Sequence, residues 1–276
     1  MFLVPLEKNI NNTVVMNISL KDKKALVGGS SEGIGKAIAL QLANSGASVT
    51  LVSRSEEKLV KIIASLPTSE GQKHQYIVVD YSNFEDYKFK IEAYFKTNTI
   101  DILVNNTQGP SAGNSLEKKI DDYQSAFDLL FKTTVLTTDL ALKNMIKNKW
   151  GRVINVASVS VKEPLSYLAL SNTIRAAVVT WGKSLAADVG PHQITVNNIL
   201  TGYFDTNRIT NLNEAKAKQL HISVDEVRNQ MEAKVSLQRI GKPEEYGYLV
   251  TFLASDNAAY ITGTAIPIDG GLLKSM

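Results

Sequence analysis

The chain contains no cysteine, which excludes a disulfide framework, a thiolate nucleophile and a cysteine-ligated metal. Histidine is scarce too. His74, His192 and His221 are the three present, without the close spacing of a zinc motif, so they read as surface or packing residues and no metal is expected. An excess of one charge is also missing. The 30 basic and 27 acidic side chains leave a formal net charge of +3, too near balance to announce a nucleic-acid or membrane-surface partner. No stretch approaches the roughly 18 apolar residues of a membrane span. The opening MFLVPLEKNINNTVVMNISL has an apolar run shorter than a signal core, no basic start and no small-residue cleavage site, so the expected location is the cytoplasm. Met16 stands just before the first recognisable strand, and residues 1–18 read as an N-terminal arm. Repeats, low-complexity tracts and Pro-rich linkers are absent as well. With 276 residues, 44% of them hydrophobic, the expectation is one α/β domain over 19–276.

What is present alternates. KKALVGG from Lys23 is a short apolar strand ending in glycines, and GIGKAIALQLANSGA follows with helical spacing at Ile34, Ile38 and Leu42. SVTLVSR is a second strand, followed by a helix that Ser55 can cap and that ends before Pro67. HQYIVVD, IDILVNN, GRVINVAS, QITVNNIL and AIPIDGG are further strands. Between them the pattern predicts helices near 86–95, over about 121–148 and 167–189, and one opened by Pro243. Strands apolar on both faces belong in a parallel sheet with right-handed crossovers, so the fold expected is a Rossmann-type doubly wound sheet. The polar, helical-looking stretch 207–236 suits a substrate lid.

In GGSSEGIG, Gly29, Gly33 and Gly35 stand between a strand and a helix, where they permit a tight turn, close approach to a pyrophosphate and close helix packing. A plain tight turn is the simpler explanation of a glycine triplet, but strand before and helix after is the context of a dinucleotide site. Together with Asp80 after the third strand, NNTQG at 105–109, GRVINVAS with Ser158, NNILTGYFDT and the closing RIGKPEEYGYLVTFLASDNAAYITGTAIPIDGG, the chain resembles the short-chain dehydrogenase/reductase family from about Lys23 to Gly271.

The resemblance implies a cofactor site built from Gly29, Ser31, Gly33, Ile34, Gly35, Ser53, Arg54, Asp80, Tyr81, Asn106, Thr107, Arg175, Gly202 and Thr206. Asp80 and Tyr81 would contact the adenine, Asn106 would line the cofactor channel, and Gly202 to Thr206 would reach the nicotinamide carboxamide. At the second strand's end, an NAD enzyme usually places a carboxylate. Arg54 stands there instead, and a guanidinium suits a 2′-phosphate, which favours NADP over NAD. Glu32 argues the other way, because a carboxylate beside a phosphate costs affinity unless it points away.

The family's chemistry uses Ser, Tyr and Lys, the last two spaced Tyr-x3-Lys on one helix, so that the lysine cation lowers the tyrosine pKa. Here Ser158 takes the serine position, but Ser171 stands where tyrosine belongs and Arg175 where lysine belongs. Leu130 replaces an asparagine that often holds a relay water. Tyr167, and less directly Tyr203 and Lys162, are the nearby candidates to rescue proton transfer. The expectation is an NADP-dependent oxidoreductase acting on a small carbonyl or alcohol, with Ser158 and Arg175 in the site and Tyr167 or Ser171 handling the proton. The competing expectation is a dinucleotide-binding sensor or partner subunit without turnover. By the same resemblance the chain is expected to assemble as a homotetramer or homodimer through the helices of 121–148 and 167–189.

Overall fold

The computed structural model describes residues 17–275, so of the expected arm over 1–18 only Asn17 and Ile18 fall inside the described residues. Seven short runs rich in Val, Ile and Leu form strands: β1 (Lys24–Gly28), β2 (Ser48–Ser53), β3 (Gln75–Val78), β4 (Ile102–Asn105), β5 (Gly151–Val156), β6 (Ile194–Thr201) and β7 (Ala265–Ile268). They make one parallel sheet in the order β3-β2-β1-β4-β5-β6-β7. Parallel neighbours need crossovers, and the helices supply them: α1 (Gly33–Asn44), α2 (Glu56–Ser65), α3 (Phe84–Phe95), α4 (Ile120–Phe127), α5 (Thr133–Asn148), α6 (Ala169–Val189), α7 (Asn207–Leu220), α8 (Val224–Glu232) and α9 (Pro243–Ala254). This is the doubly wound Rossmann-type sheet expected from the strand pattern. Its order reverses between β1 and β4, which opens a crevice at the carboxyl ends of those strands.

Alternation along each strand sends side chains into two separate cores. Val27, Ile102, Val104 and Ile154 pack with Ile38 and Leu42 of α1 and with Tyr246 and Val250 of α9. Leu26, Leu103 and Val153 pack on the other face with Ile91 of α3, Met145 of α5 and Ile174 of α6. Local signals set the helix ends. Ser55 accepts from the Lys58 backbone N–H at 3.4 Å at the start of α2, and Ser223 with Glu226 forms a reciprocal capping box on α8.

Two helices differ from their expected extents. The helix over 121–148 is α4 and α5 joined by a π-helical turn at Asp128–Lys132. The hydroxyls of Thr133, Thr134, Thr137 and Thr138 each bond back to the carbonyl four residues earlier, a pairing that bends helices and that hydrophobic spacing does not register. The helix expected from Tyr167 begins at Ala169, because Leu168 is held in a bridge to Gly113 with a non-helical backbone at φ −125° and ψ 37°. Tyr167 therefore lies ahead of the helix rather than on its first turn. The stretch 207–236 consists of α7 and α8 followed by turns, with His221 ending α7 in the left-handed conformation at φ +55°.

Parallel register aligns Asn105, Asn155 and Asn198 on neighbouring strands and turns them into a buried amide chain. Asn105 Nδ2 donates to Asn155 Oδ1 at 2.9 Å, and Asn155 Nδ2 to Asn198 Oδ1 at 3.0 Å. Substituting Asn155→Leu strands the acceptor on Asn198 and is expected to cost about 2 kcal/mol, measured as a lower urea midpoint with unchanged slope. His74 has a comparable structural task, with Nδ1 accepting from the Val49 N–H at 3.1 Å and Nε2 lying 2.8 Å from the Pro67 carbonyl. Among the described residues no group of His, Asp or Glu side chains is placed to hold a metal, and no helix is long and apolar enough to cross a membrane.

Candidate functional site

The loop between β1 and α1 sits at the β1/β4 reversal. Gly33 has φ +54°, and a Cβ there would meet the Thr206 methyl at 3.1 Å. A Cβ on Gly35 would lie 2.1 Å from the Gly29 carbonyl oxygen, so only glycine allows α1 to press against the loop. Glu32, the N-cap of α1, makes no side-chain bond to the first turn, and that turn carries no acidic residue. Its backbone N–H groups at Gly33, Ile34 and Gly35 are thus unclaimed by side chains and face the crevice with the positive end of the helix dipole. Ser31 is half-buried on the same loop.

Two residues expected at the cofactor also brace the glycine loop. The Asn106 amide turns inward and donates to the Gly28 carbonyl at 3.0 Å. The Tyr81 side chain is buried against Tyr87, ring centroids 4.9 Å apart, and its hydroxyl lies 2.7 Å from where a Cβ on Gly28 would stand. Any contact of residue 81 with an adenine would come through its backbone. Ser30, which the sequence reading passed over, ties the loop to β2, its hydroxyl accepting from the Val52 N–H at 2.8 Å.

At the end of β2, Ser53 is buried and Arg54 is exposed. Asp80 uses one oxygen to accept from the Ser82 N–H at 2.9 Å and hydroxyl at 2.7 Å; these bonds, with the charge of Arg54, hold its carboxyl below the usual range. Glu32 is also held low, chiefly by Lys58, whose ammonium lies 2.7 Å away, with Asn207 and Arg54 adding to the effect. The carboxylate that argued against a phosphate is therefore occupied by a cation of its own. Removing the free guanidinium with Arg54→Ala is expected to weaken NADPH binding roughly 10–100-fold and to leave NADH nearly unchanged, read by cofactor fluorescence.

The other end of the crevice holds the expected chemistry. Ser158 follows β5, and its hydroxyl accepts from the Ser160 N–H at 3.1 Å. Ser171 and Arg175 lie one turn apart on α6; Ser171 is buried, and Arg175 Nη1 donates to the Val156 carbonyl at 2.5 Å. Burial, then the neighbouring charge of Arg208, pushes the Arg175 pKa down to about 10. The Tyr167 ring stands at the mouth, 46% exposed, while its carbonyl accepts from the Gly113 N–H at 2.8 Å. Tyr203 is half-buried nearby. Burial raises both phenol pKa values, and the proximity of Tyr167 raises that of Tyr203 further. Neither phenol is acidified. The phenol on which the Arg175 charge acts favourably is Tyr246, which is fully buried and bonded to Thr201 at 3.0 Å. Gly202 packs against Asp269, Thr107 bonds the Gln108 carbonyl at 3.2 Å, and Thr206 closes over Gly33. Lys162 is exposed.

Residues 29–273 match a family model described as Enoyl-(Acyl carrier protein) reductase. The chain is 31% identical over 258 residues to 3-oxoacyl-[acyl-carrier-protein] reductase FabG of Aquifex aeolicus, covering 93% of this chain and 100% of that one. It belongs to the short-chain dehydrogenase/reductase family. It is also 29% identical over 261 residues to the NADPH-dependent reductase BacG of Bacillus subtilis, covering 93% of this chain and 100% of that one. The solved L-sorbose reductase of Gluconobacter frateurii, complexed with NADPH and L-sorbose, superposes with a TM-score of 0.88 at 28% identity, covering 95% of this chain and 100% of that one.

Set against the family's Ser, Tyr and Lys, this short-chain dehydrogenase/reductase has Ser158 at the end of β5, a serine at 171 and a guanidinium at 175. Leu130 lies buried in the π-helical turn, where a hydrocarbon cannot hold a relay water. Arg208 was not singled out by the sequence, since it lies in the polar stretch 207–236 with nothing in its spacing to distinguish it. It reaches over the loop after β4: a Cβ on Gly109 would lie 2.5 Å from its Nη2.

Proposed function

We propose that the chain is an NADP-dependent oxidoreductase that reduces a small carbonyl substrate, or oxidises the matching alcohol. The observation that carries this reading is a glycine loop with an unclaimed first turn of α1, at the same edge of the sheet as the half-buried Arg175, which stands where the family has its lysine. The glycine loop and unclaimed first turn of α1 fit a pyrophosphate, and Arg54 fits a 2′-phosphate better than the paired hydroxyls of NAD. NADPH binding by BacG and by the L-sorbose reductase structure supports the same choice.

When bound, NADPH supplies the hydride for the carbonyl carbon. The chain's residues manage the oxygen. The Ser158 hydroxyl accepts from Ser160 and keeps its own proton for donation to the substrate oxygen. Arg175, with a single carbonyl partner, supplies positive charge where the alkoxide forms. Tyr167, at the mouth, delivers the proton that completes the alcohol; Ser171 is buried and a far weaker acid. A phenol that no cation acidifies transfers its proton slowly, so kcat is expected to lie below that of relatives with Tyr-x3-Lys, since a well-placed general acid contributes about 10²–10⁴-fold.

Titration with NADPH and NADH by fluorescence, followed by a carbonyl panel monitored at the NADPH absorbance, tests the reading. NADPH binding with turnover supports it, and Tyr167→Phe should then lower kcat at unchanged NADPH affinity. Absence of NADPH binding overturns it. Binding without turnover of any carbonyl would favour a sensor or partner subunit, a reading supported by Leu130 and by the lack of a phenol on the site-facing turn of α6.

Assembly as a homodimer or homotetramer is part of the proposal. Phe127 stacks on Phe131 at 5.0 Å and Phe131 meets Trp181 edge-on at 6.1 Å, placing aromatic surface where α4 and α6 meet. Light scattering would show a mass of two or four chains.

A further inference from the structure

A sheet of this kind puts the adenosine ribose of a bound dinucleotide against the carboxyl end of β2. The glycine loop is stitched to that end, the Ser30 N–H donating to the Val52 carbonyl at 3.3 Å and the Val52 N–H to the Ser30 hydroxyl at 2.8 Å. Charged side chains come to it from three directions: Glu32 from the loop, Arg54 directly after β2, and Lys58 from the first turn of α2. The Lys58 ammonium lies 2.7 Å from Glu32 Oε2, and both side chains are half-exposed. This contact is the main reason the Glu32 carboxyl stays below its usual range and is charged at neutral pH. The other acids nearby have partners of their own. Glu56 accepts from the Tyr76 hydroxyl at 3.0 Å, Glu57 pairs with Lys61 at 2.6 Å, and Asp80 accepts from the Ser82 hydroxyl at 2.7 Å. Arg54 is exposed and forms no ion pair among the described residues. An ion pair as open to water as Glu32–Lys58 adds little to stability. Its consequence is electrostatic, because it turns Glu32 from a charge that repels a phosphate into half of a neutral pair.

We propose that Lys58 is a ligand of the cofactor's 2′-phosphate beside Arg54, and that Glu32 takes the phosphate's place on the ammonium in the free protein. This rests on the NADP reading and deepens it, since the Glu32–Lys58 pair then sets how strongly NADPH is preferred to NADH. An ammonium has three N–H donors, and Lys58 gives one to Glu32, so the rest remain for an incoming phosphate. The root of the side chain is fixed: the Lys58 N–H donates to the Ser55 hydroxyl at 3.4 Å, which holds the start of α2 while the ammonium turns. A phosphate monoester carries a charge of about −1.5 to −2 at pH 7, more than a carboxylate, and so outcompetes Glu32 for the cation. The ribose of NADH offers neutral hydroxyls there, for which Lys58 has no reason to leave its partner.

The test is a double-mutant cycle read as dissociation constants for NADPH and NADH by cofactor fluorescence, with adenosine 2′,5′-bisphosphate and AMP as calorimetric probes that lack the nicotinamide. Lys58→Ala is expected to weaken NADPH and the bisphosphate about tenfold, because the phosphate then faces an unpaired Glu32, and to leave NADH and AMP within about twofold. Glu32→Gln should act in the opposite direction, tightening the two 2′-phosphorylated ligands about three- to tenfold, since Lys58 is then theirs alone. The double variant should bind NADPH more tightly than Lys58→Ala does. Unchanged NADPH affinity in Lys58→Ala would overturn the proposal. So would an equal loss for NADH and NADPH in that variant, or weaker NADPH binding in Glu32→Gln, because the pair would then only brace the loop. A parent protein that binds NADPH but reduces no carbonyl would sink the reductase reading while leaving the phosphate site standing, and one that binds no NADPH overturns both.

Discussion

Substituting Gly35→Ala abolishes dinucleotide binding, with the NADPH dissociation constant expected to rise at least about 100-fold, since even one added carbon in a tightly packed site forces backbone shifts. The added Cβ would sit 2.1 Å from the Gly29 carbonyl oxygen and 2.8 Å from Asn106 Nδ2. Neither obstacle can yield cheaply. The first is backbone, and the second is bonded at 3.0 Å to the Gly28 carbonyl, so relief requires α1 to move off the loop. That motion carries away the N–H groups meant for the pyrophosphate. Gly190→Ala is the matched control, because a Cβ there meets nothing within 4 Å and φ is −52°. It should bind NADPH like the parent and gain up to about 1 kcal/mol of stability from a stiffer unfolded chain. Cofactor fluorescence and thermal melts on both variants read the contrast, and equal NADPH affinity in the two would sink the account of the loop.

The second large effect is a gain. Installing Ser171→Tyr together with Arg175→Lys is expected to raise turnover of a carbonyl substrate by about 10²–10⁴-fold, the usual contribution of a positioned general acid. Positions 171 and 175 are one turn apart on α6, about 6 Å along its axis. The new lysine would keep the cation that Arg175 supplies, in a form that can acidify the new phenol. At present burial raises the pKa values of Tyr167 and Tyr203, and the charge of Arg175 acts on the enclosed Tyr246. Initial rates of NADPH consumption distinguish the outcomes. A gain over a slow parent supports an oxidoreductase with a displaced donor, and a gain from zero supports a binding protein derived from an enzyme. A fall from a fast parent would mean that Ser171 and Arg175 already form an efficient pair.

Much of this was legible in the chain before any coordinates. The alternation of strands and helices identified the doubly wound sheet, because side-chain period and burial on both faces are local properties written residue by residue. GGSSEGIG located the nucleotide site for the same reason: strand, glycines and helix start are contiguous. Ser55 and the Ser223/Glu226 pair announced their helix starts, since a cap acts within one turn. Ser171, Arg175 and Leu130 could be singled out as expected departures from the family's pattern, because residue identity is read directly from the chain.

Contacts between distant segments were decided by the tertiary structure alone. Asn106 and Tyr81 carry the residue types of a ligand contact, and the fold brings both against the glycine loop, which their spacing in the chain does not show. The Thr hydroxyls bonding back along α5 made a π-helical turn from a stretch whose apolar spacing reads as one helix, and the bridge from Gly113 to Leu168 delayed the start of α6 past Tyr167. Lys58 neutralised Glu32 from another helix. Arg208 came to lie over the loop after β4 only when α7 folded across Gly109. The sequence by itself determined the scaffold, the strand–glycine–helix segment of the nucleotide end and the residue types at 158, 171 and 175, because each depends on neighbours within a turn or on residue identity. The electrostatics around Arg175 had to await the fold, because charge acts through space and α7 lays Arg208 over the loop after β4 only in the folded chain.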